Sequence, residues 1–143
     1  MIPLRLKSEC DRSLAPFVVR IATGEPQGSS DAQLVIEEPN RLGFQATDGD
    51  FHIHNIAPTE IDGDVLLIDP RRQIAHRLIR AGSPHNTFLI TEQCDQLCVM
   101  CSQPPKTHHE DMFAYFLAAT RLAPTGTCIG LSGGEPLLHK KEL

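Results

Sequence analysis

The chain has no run of lysine and arginine, no long apolar stretch, no internal repeat, and no fourth cysteine beside the three that crowd into residues 94–101. Each absence excludes something. Without a basic stripe, and with a formal net charge of −5, nothing marks a nucleic-acid surface. No segment reaches the roughly 20 apolar residues that a membrane-spanning helix needs. The opening MIPLRLKSECDRS alternates apolar and charged residues without an apolar core, so no secretory signal is expected. Five cysteines is an odd number, and three of them are too close together to pair in separate disulfides. That favours a reducing cytoplasm, and metal or redox chemistry over a disulfide scaffold. What is present reads as globular: 41% hydrophobic and 22% charged residues over 143 positions. That is enough for one modest domain, or a small domain and part of a second.

Turn chemistry divides the chain. Residues 1–86 read as a small, mainly-β N-terminal domain of short strands. Gln33–Ile36 is one candidate strand. Leu42–Ala46 runs through Thr47-Asp48-Gly49-Asp50 into the alternating Phe51–Ile56, a hairpin signature. Val65–Ile68 is a buried-looking strand stopped by Asp69-Pro70, and Gln73–Arg80 suits a strand or a short helix, with strand the preferred reading. The turn Ala81-Gly82-Ser83-Pro84 is the expected boundary. Residues 87–143 read as α/β. Thr87–Thr91 suits a strand buried on both faces, and Pro104-Pro105 keeps the cysteine loop after it from continuing as a regular element. Thr107 and Glu110 have capping-box spacing, so a helix is expected from near His108. Its apolar stripe would be Met112, Phe113, Phe116, Leu117 and Thr120. Pro124 and Gly126 end it, and Cys128–Leu131 gives a second strand. Strand, helix, strand predicts one parallel β-α-β unit. Its two unusual loops would then meet at the carboxyl ends of adjacent strands, where α/β folds place their sites.

Those loops carry the chemistry. Cys94, three residues, Cys98, two residues and Cys101 put three soft thiolate donors together. A closed zinc site or an electron-transfer cluster uses four. Three thiolates on a 4Fe-4S cubane leave one iron open for a small ligand. Ser132-Gly133-Gly134-Glu135-Pro136 suits that ligand, with unobstructed backbone amides from the glycines and a Glu135 carboxylate for a protonated amine.

These residues resemble the radical S-adenosylmethionine superfamily. The resemblance implies a 4Fe-4S cluster held by Cys94, Cys98 and Cys101, with S-adenosyl-L-methionine bound by Met100, Gly133, Gly134, Glu135 and Pro136. It also implies cleavage to a 5′-deoxyadenosyl radical. The fold implied is the start of a partial (β/α)6 radical SAM barrel behind the N-terminal β domain. The stretch DVLLIDPRRQIAHRLIRAGSPHNTFLITEQCDQLCVMCSQPPK is similar to the C-type maturase of the His-Xaa-Ser peptide system. That implies a peptide substrate, such as a His-Xaa-Ser repeat precursor, and an electron donor such as a flavodoxin or ferredoxin. On this resemblance the chain stops early in its barrel, is an N-terminal fragment, and turns over little alone.

Plainer readings stand beside these. The thiolates alternatively form a non-catalytic zinc or iron–sulfur module completed by Cys128, His108 or His109. Cys128, in an apolar run, reads as a buried small hydrophobe, and Cys10 as a surface thiol. His52 and His54, on alternate positions of one strand, either share a metal or are ordinary strand histidines. Arg71, Arg72, Arg77 and Arg80 mark either a peptide-docking edge or a solvated strand face. The helical stripe reads as core rather than a cofactor box.

Overall fold

The computed structural model describes residues 3–96, 98–101, 106 and 110–143. Seven strands make a closed barrel: β1 (Arg5–Cys10), β2 (Phe17–Ala22), β3 (Asp31–Glu38), β4 (Arg41–Gln45), β5 (Phe51–His54), β6 (Val65–Asp69) and β7 (Ile74–Ile79). Around the barrel the order is β1-β5-β4-β3-β2-β6-β7, and β7 pairs back onto β1 through Arg5↔His76 and Lys7↔Ile74. All neighbours run antiparallel except β2 and β3. Arg20 and Asp31 face each other across that short parallel seam. The guanidinium donates to both carboxylate oxygens at 2.8 Å, and the backbone amides of Gln27 and Gly28 also donate to Asp31. These bonds, the Arg20 one foremost, hold the Asp31 carboxyl below its ordinary pKa.

Alternation sends one side chain in two to the barrel interior. Phe17, Val19, Ile21, Leu42, Phe44, Phe51, Ile53, Leu66 and Ile68 fill it. Phe44 stacks on Phe51 at 5.3 Å, and Phe17 meets Phe51 edge-on at 6.0 Å. The interior is therefore packed with side chains. A buried ion pair, Arg77 Nε to Asp64 Oδ2 at 2.7 Å, lies under the turn that follows β7. Its geometry is charge against charge rather than an aligned hydrogen bond. Asp64 Oδ1 accepts from Ala81 N at 2.8 Å and Arg77 donates to Glu60 O at 3.2 Å, while burial pushes the Asp64 carboxyl pKa up.

Outside the barrel, β8 (His85–Thr91) and β9 (Cys128–Gly133) form a two-stranded parallel sheet, with α1 (Phe113–Leu122) between them in sequence. Phe116 stacks on Phe88 at 4.6 Å. Together with Ile90 and Ala119 they pack on Val65 and Ile79 of the barrel wall, so the satellite shares a second core with the barrel. No helix among the described residues is long and apolar enough to cross a membrane.

The expected fold class is corrected here. A closed seven-stranded barrel dominates, accompanied among the described residues by a single α-helix, which is not the start of a (β/α)6 radical SAM barrel. The parallel pair is a satellite on that barrel. Local expectations fare differently. The hairpin through Thr47–Asp50 is β4–β5, paired Arg41↔His54 to Phe44↔Phe51. Gln73–Arg80 contains the strand β7, and β3 is longer than expected. Turn and strand patterns did not announce β1 or β2. The expected strand at 87–91 is buried on one face only, since Thr87 and Leu89 are exposed. The helix begins at Phe113, its buried positions are Phe116 and Ala119, and Leu117 and Thr120 are exposed. Thr107, His108, His109 and Pro104-Pro105 lie outside the described residues.

Candidate functional site

Two places at the satellite gather residues that could act on another molecule. The first is where the loops after β8 and β9 meet. Thr91 O accepts from Gly134 N at 3.0 Å, and Gln93 O accepts from Glu135 N at 2.9 Å. The two loops are thus sewn together backbone to backbone. Gly133, at φ 150°, and Gly134 allow this. A Cβ on Gly133 would lie 2.1 Å from Thr91 O, and one on Gly134 would lie 2.2 Å from Gln93 O and 2.8 Å from the Cys94 Cβ. The glycines therefore serve loop-against-loop packing, with their close approach taken up by protein. Glu135 is similarly engaged: its Oε1 accepts from Leu137 N at 2.9 Å and caps the short turn Pro136–His139.

The cysteine loop reaches outward from this seam. Cys94 is half-buried, and its Sγ accepts from Gln96 N at 3.4 Å. Cys98 and Cys101 are exposed at the ends of a turn closed by Cys101 N donating to Cys98 O at 3.0 Å. Val99 and Met100, at its tip, are fully or almost fully exposed. Lys106 returns beside the loop, paired through its ammonium to Glu92.

The other residues that the sequence nominates are scattered. Cys128 sits at the opposite end of β9, paired with His85, and is exposed rather than buried. Cys10 is half-buried against the barrel core, bracketed by the Gln73 amide, and burial raises its thiol pKa. His54 Nε2 lies 3.1 Å from Glu9 Oε1. The His52 pKa is lowered by burial and then by Arg41. Arg77 is buried on Asp64, so it is not part of a solvated face.

The second place is a cleft of about 510 Å³ between the barrel wall and the satellite. Its satellite wall is β8 itself, and the six consecutive residues Thr87 to Glu92 all line it. Successive side chains of a strand point to opposite faces. A cleft touched by every residue in turn therefore runs along the strand's edge. On its other edge β8 pairs with β9, and among the described residues it has no further strand partner. Leu67, His76 and Leu78 of the barrel line the opposite wall, and Met112, Tyr115 and Phe116 lie at its base. Just before this run, the Asn86 amide oxygen accepts from Arg80 N at 2.9 Å and ties the start of β8 to the end of β7. Within the cleft, Arg72 Nη1 reaches Glu110 Oε1 at 3.5 Å. Asp69, Glu92, Glu110 and Asp111 line the cleft with Arg5, Arg72 and Arg77; Arg77 is paired to Asp64, Glu92 to Lys106, and Arg72 to both Asp69 and Glu110. Burial, and then Arg5, lower the His76 pKa, so this ring adds no charge at neutral pH.

Nothing in the sequence singles out this cleft. Of the four arginines on the expected docking edge, Arg72 and Arg77 line it, and the wall opposite β8 combines the neighbouring β6 and β7 with Leu4 and Arg5 from the other end of the chain. In comparisons with known proteins, no family model, no curated protein and no solved structure matches this chain. The expected 4Fe-4S cluster, S-adenosyl-L-methionine cofactor and radical enzyme are overturned, and so is the thiolate metal module. The fold is the β-barrel described above, and among the described residues no three His, Cys, Asp or Glu side chains come together to hold a metal ion.

Proposed function

We propose that this chain is a cytoplasmic peptide-binding module that takes an extended, positively charged segment as an added strand on β8. The observation that carries it is the run Thr87–Glu92, every residue of which lines the cleft. An open strand edge supplies backbone donors and acceptors to any extended chain. Four carboxylates line the cleft, three of them already with ion-pair partners, and the chain's own charge of −5 draws in cationic segments. The five cysteines, none joined in a disulfide, support a reducing compartment.

The test is amide NMR of the 15N-labelled chain titrated with an alternating Lys-Val peptide. Expected are saturable shifts concentrated at Thr87–Glu92. Binding should weaken severalfold for an Asp-Val peptide, and be lost when alternate backbone nitrogens of the Lys-Val peptide are methylated. Equal binding of the methylated peptide, or shifts confined to another surface, overturns the reading. Reversing Glu92 and Asp111 to lysine should weaken binding severalfold, the size expected for partly exposed charges.

A further inference from the structure

Cys98 and Cys101 stand apart from the other cysteines in both spacing and geometry. The hydrogen bond from Cys101 N to Cys98 O at 3.0 Å closes a four-residue turn, which brings its end Cα atoms to within about 7 Å. A disulfide spans Cα separations of about 4.4–6.8 Å. Both residues are exposed, and Val99 and Met100 between them project into solvent, so a small oxidant meets no barrier.

The remaining thiols lack this arrangement. Cys94 is half-buried, and its backbone is held against Gly134 by the seam between the loops. Cys128 lies at the far end of β9, and Cys10 packs against the barrel core.

We propose that Cys98 and Cys101 are a dithiol site that closes to an intrachain disulfide by exchange with a small disulfide such as oxidised glutathione. In the first step one of the two thiolates attacks a glutathione sulfur. A mixed disulfide forms and one glutathione thiolate leaves. In the second, the other cysteine attacks the protein sulfur of that mixed disulfide, forming the Cys98–Cys101 bond and expelling the second glutathione. The pair gives up two electrons and two protons, and one glutathione disulfide becomes two thiols. The product keeps the existing turn and fixes the exposed Val99-Met100 tip between two covalently joined ends. In a reducing compartment such a bond is transient, formed when the glutathione pool is oxidised.

The experiment equilibrates the whole chain in glutathione buffers of rising oxidised fraction, quenches with an alkylating agent and maps each cysteine by mass spectrometry. Expected is a species lighter by two hydrogen atoms and linked Cys98 to Cys101. It should reach half conversion at an oxidised-glutathione level at least tenfold below that needed to place an adduct on Cys128. Cys98→Ser and Cys101→Ser should each replace the crosslink by a stable glutathione adduct on the remaining partner. A link that includes Cys94, separate adducts on Cys98 and Cys101 in the unsubstituted chain, or neither residue oxidised once Cys128 is modified, each overturns the proposal. The mapping on the unsubstituted chain decides the matter even if a serine variant folds poorly.

Discussion

The barrel and its satellite solve the same problem, pairing strands, and only the barrel completes the solution. In the barrel every strand has two neighbours, and the interior is filled by three phenylalanines and a layer of branched aliphatics. In the satellite, β8 and β9 have each other, with one face covered by α1 and the barrel wall, and among the described residues neither has a further strand partner. Parallel strands are ordinarily buried on both faces, and here Leu89 and Leu131 remain about half exposed. A closed sheet has no edge to offer, while an unfinished one keeps its backbone available. On the proposed function, the barrel is the scaffold and the satellite the part that meets a peptide.

Removing a ring from each region breaks this comparison most directly. Phe51→Ala takes out the ring that both Phe17 and Phe44 contact. It should cost about 3–5 kcal/mol and lower the chemical-denaturation midpoint of the whole molecule. Phe116→Ala removes the stack on Phe88. Its cost should be about 3 kcal/mol, at the lower end of that range because Phe116 lies near the surface. Hydrogen exchange should then show amides of β8 and β9 opening before those of β1–β7, and uniform loss of protection would mean that the two regions unfold as one. The smallest effect is expected at the parallel seam of the barrel. The Asp31 carboxyl is depressed in the folded state, so its stabilisation is present above the unfolded carboxylate value of about 3.9. It is lost as pH falls below that toward the folded value. Asp31→Asn should therefore be less stable at neutral pH by about 1–2 kcal/mol, an ion-pair hydrogen bond discounted for the solvent that Arg20 reaches. The gap to the parent should close in an acid titration followed by circular dichroism, and a gap constant from pH 7 to pH 2 would contradict the assignment.

Local patterns were legible and global closure was not. Thr47-Asp48-Gly49 between two apolar runs announced the β4–β5 hairpin because turn and strands are contiguous. β7 was legible because Ala75, Arg77 and Ile79 alternate with its other residues, although Arg77 points inward to a buried partner, Asp64, thirteen positions upstream. β1 escaped notice because its second inward position is Ser8, a buried polar residue that breaks the expected alternation. β2 has the alternation, but its partners β3 and β6 flank it through a parallel seam and a distant antiparallel one. At the loops, the Gly-Gly pair correctly signalled a close backbone approach. What approaches is the backbone of the chain itself at Thr91 and Gln93, which residue type alone does not reveal. The three cysteines signalled chemistry by spacing, while their differing exposure, Cys94 half-buried and Cys98 and Cys101 open, depends on how the loop leaves the seam.

The pairing of Arg5 with His76 has a consequence for the order of assembly. The strand that seals the barrel is the first to be synthesised, and its partner β7 is the last of the seven. During synthesis Arg5–Lys7 must wait until β7 has emerged, with β1 tethered to β5 only through Ser8–Cys10. Joining segments so far apart is slow, since the loop entropy is lost before the contacts form. Until that moment the nascent sheet has exposed margins at β7 and β1, and there a growing chain is most open to capture by a neighbour or a chaperone.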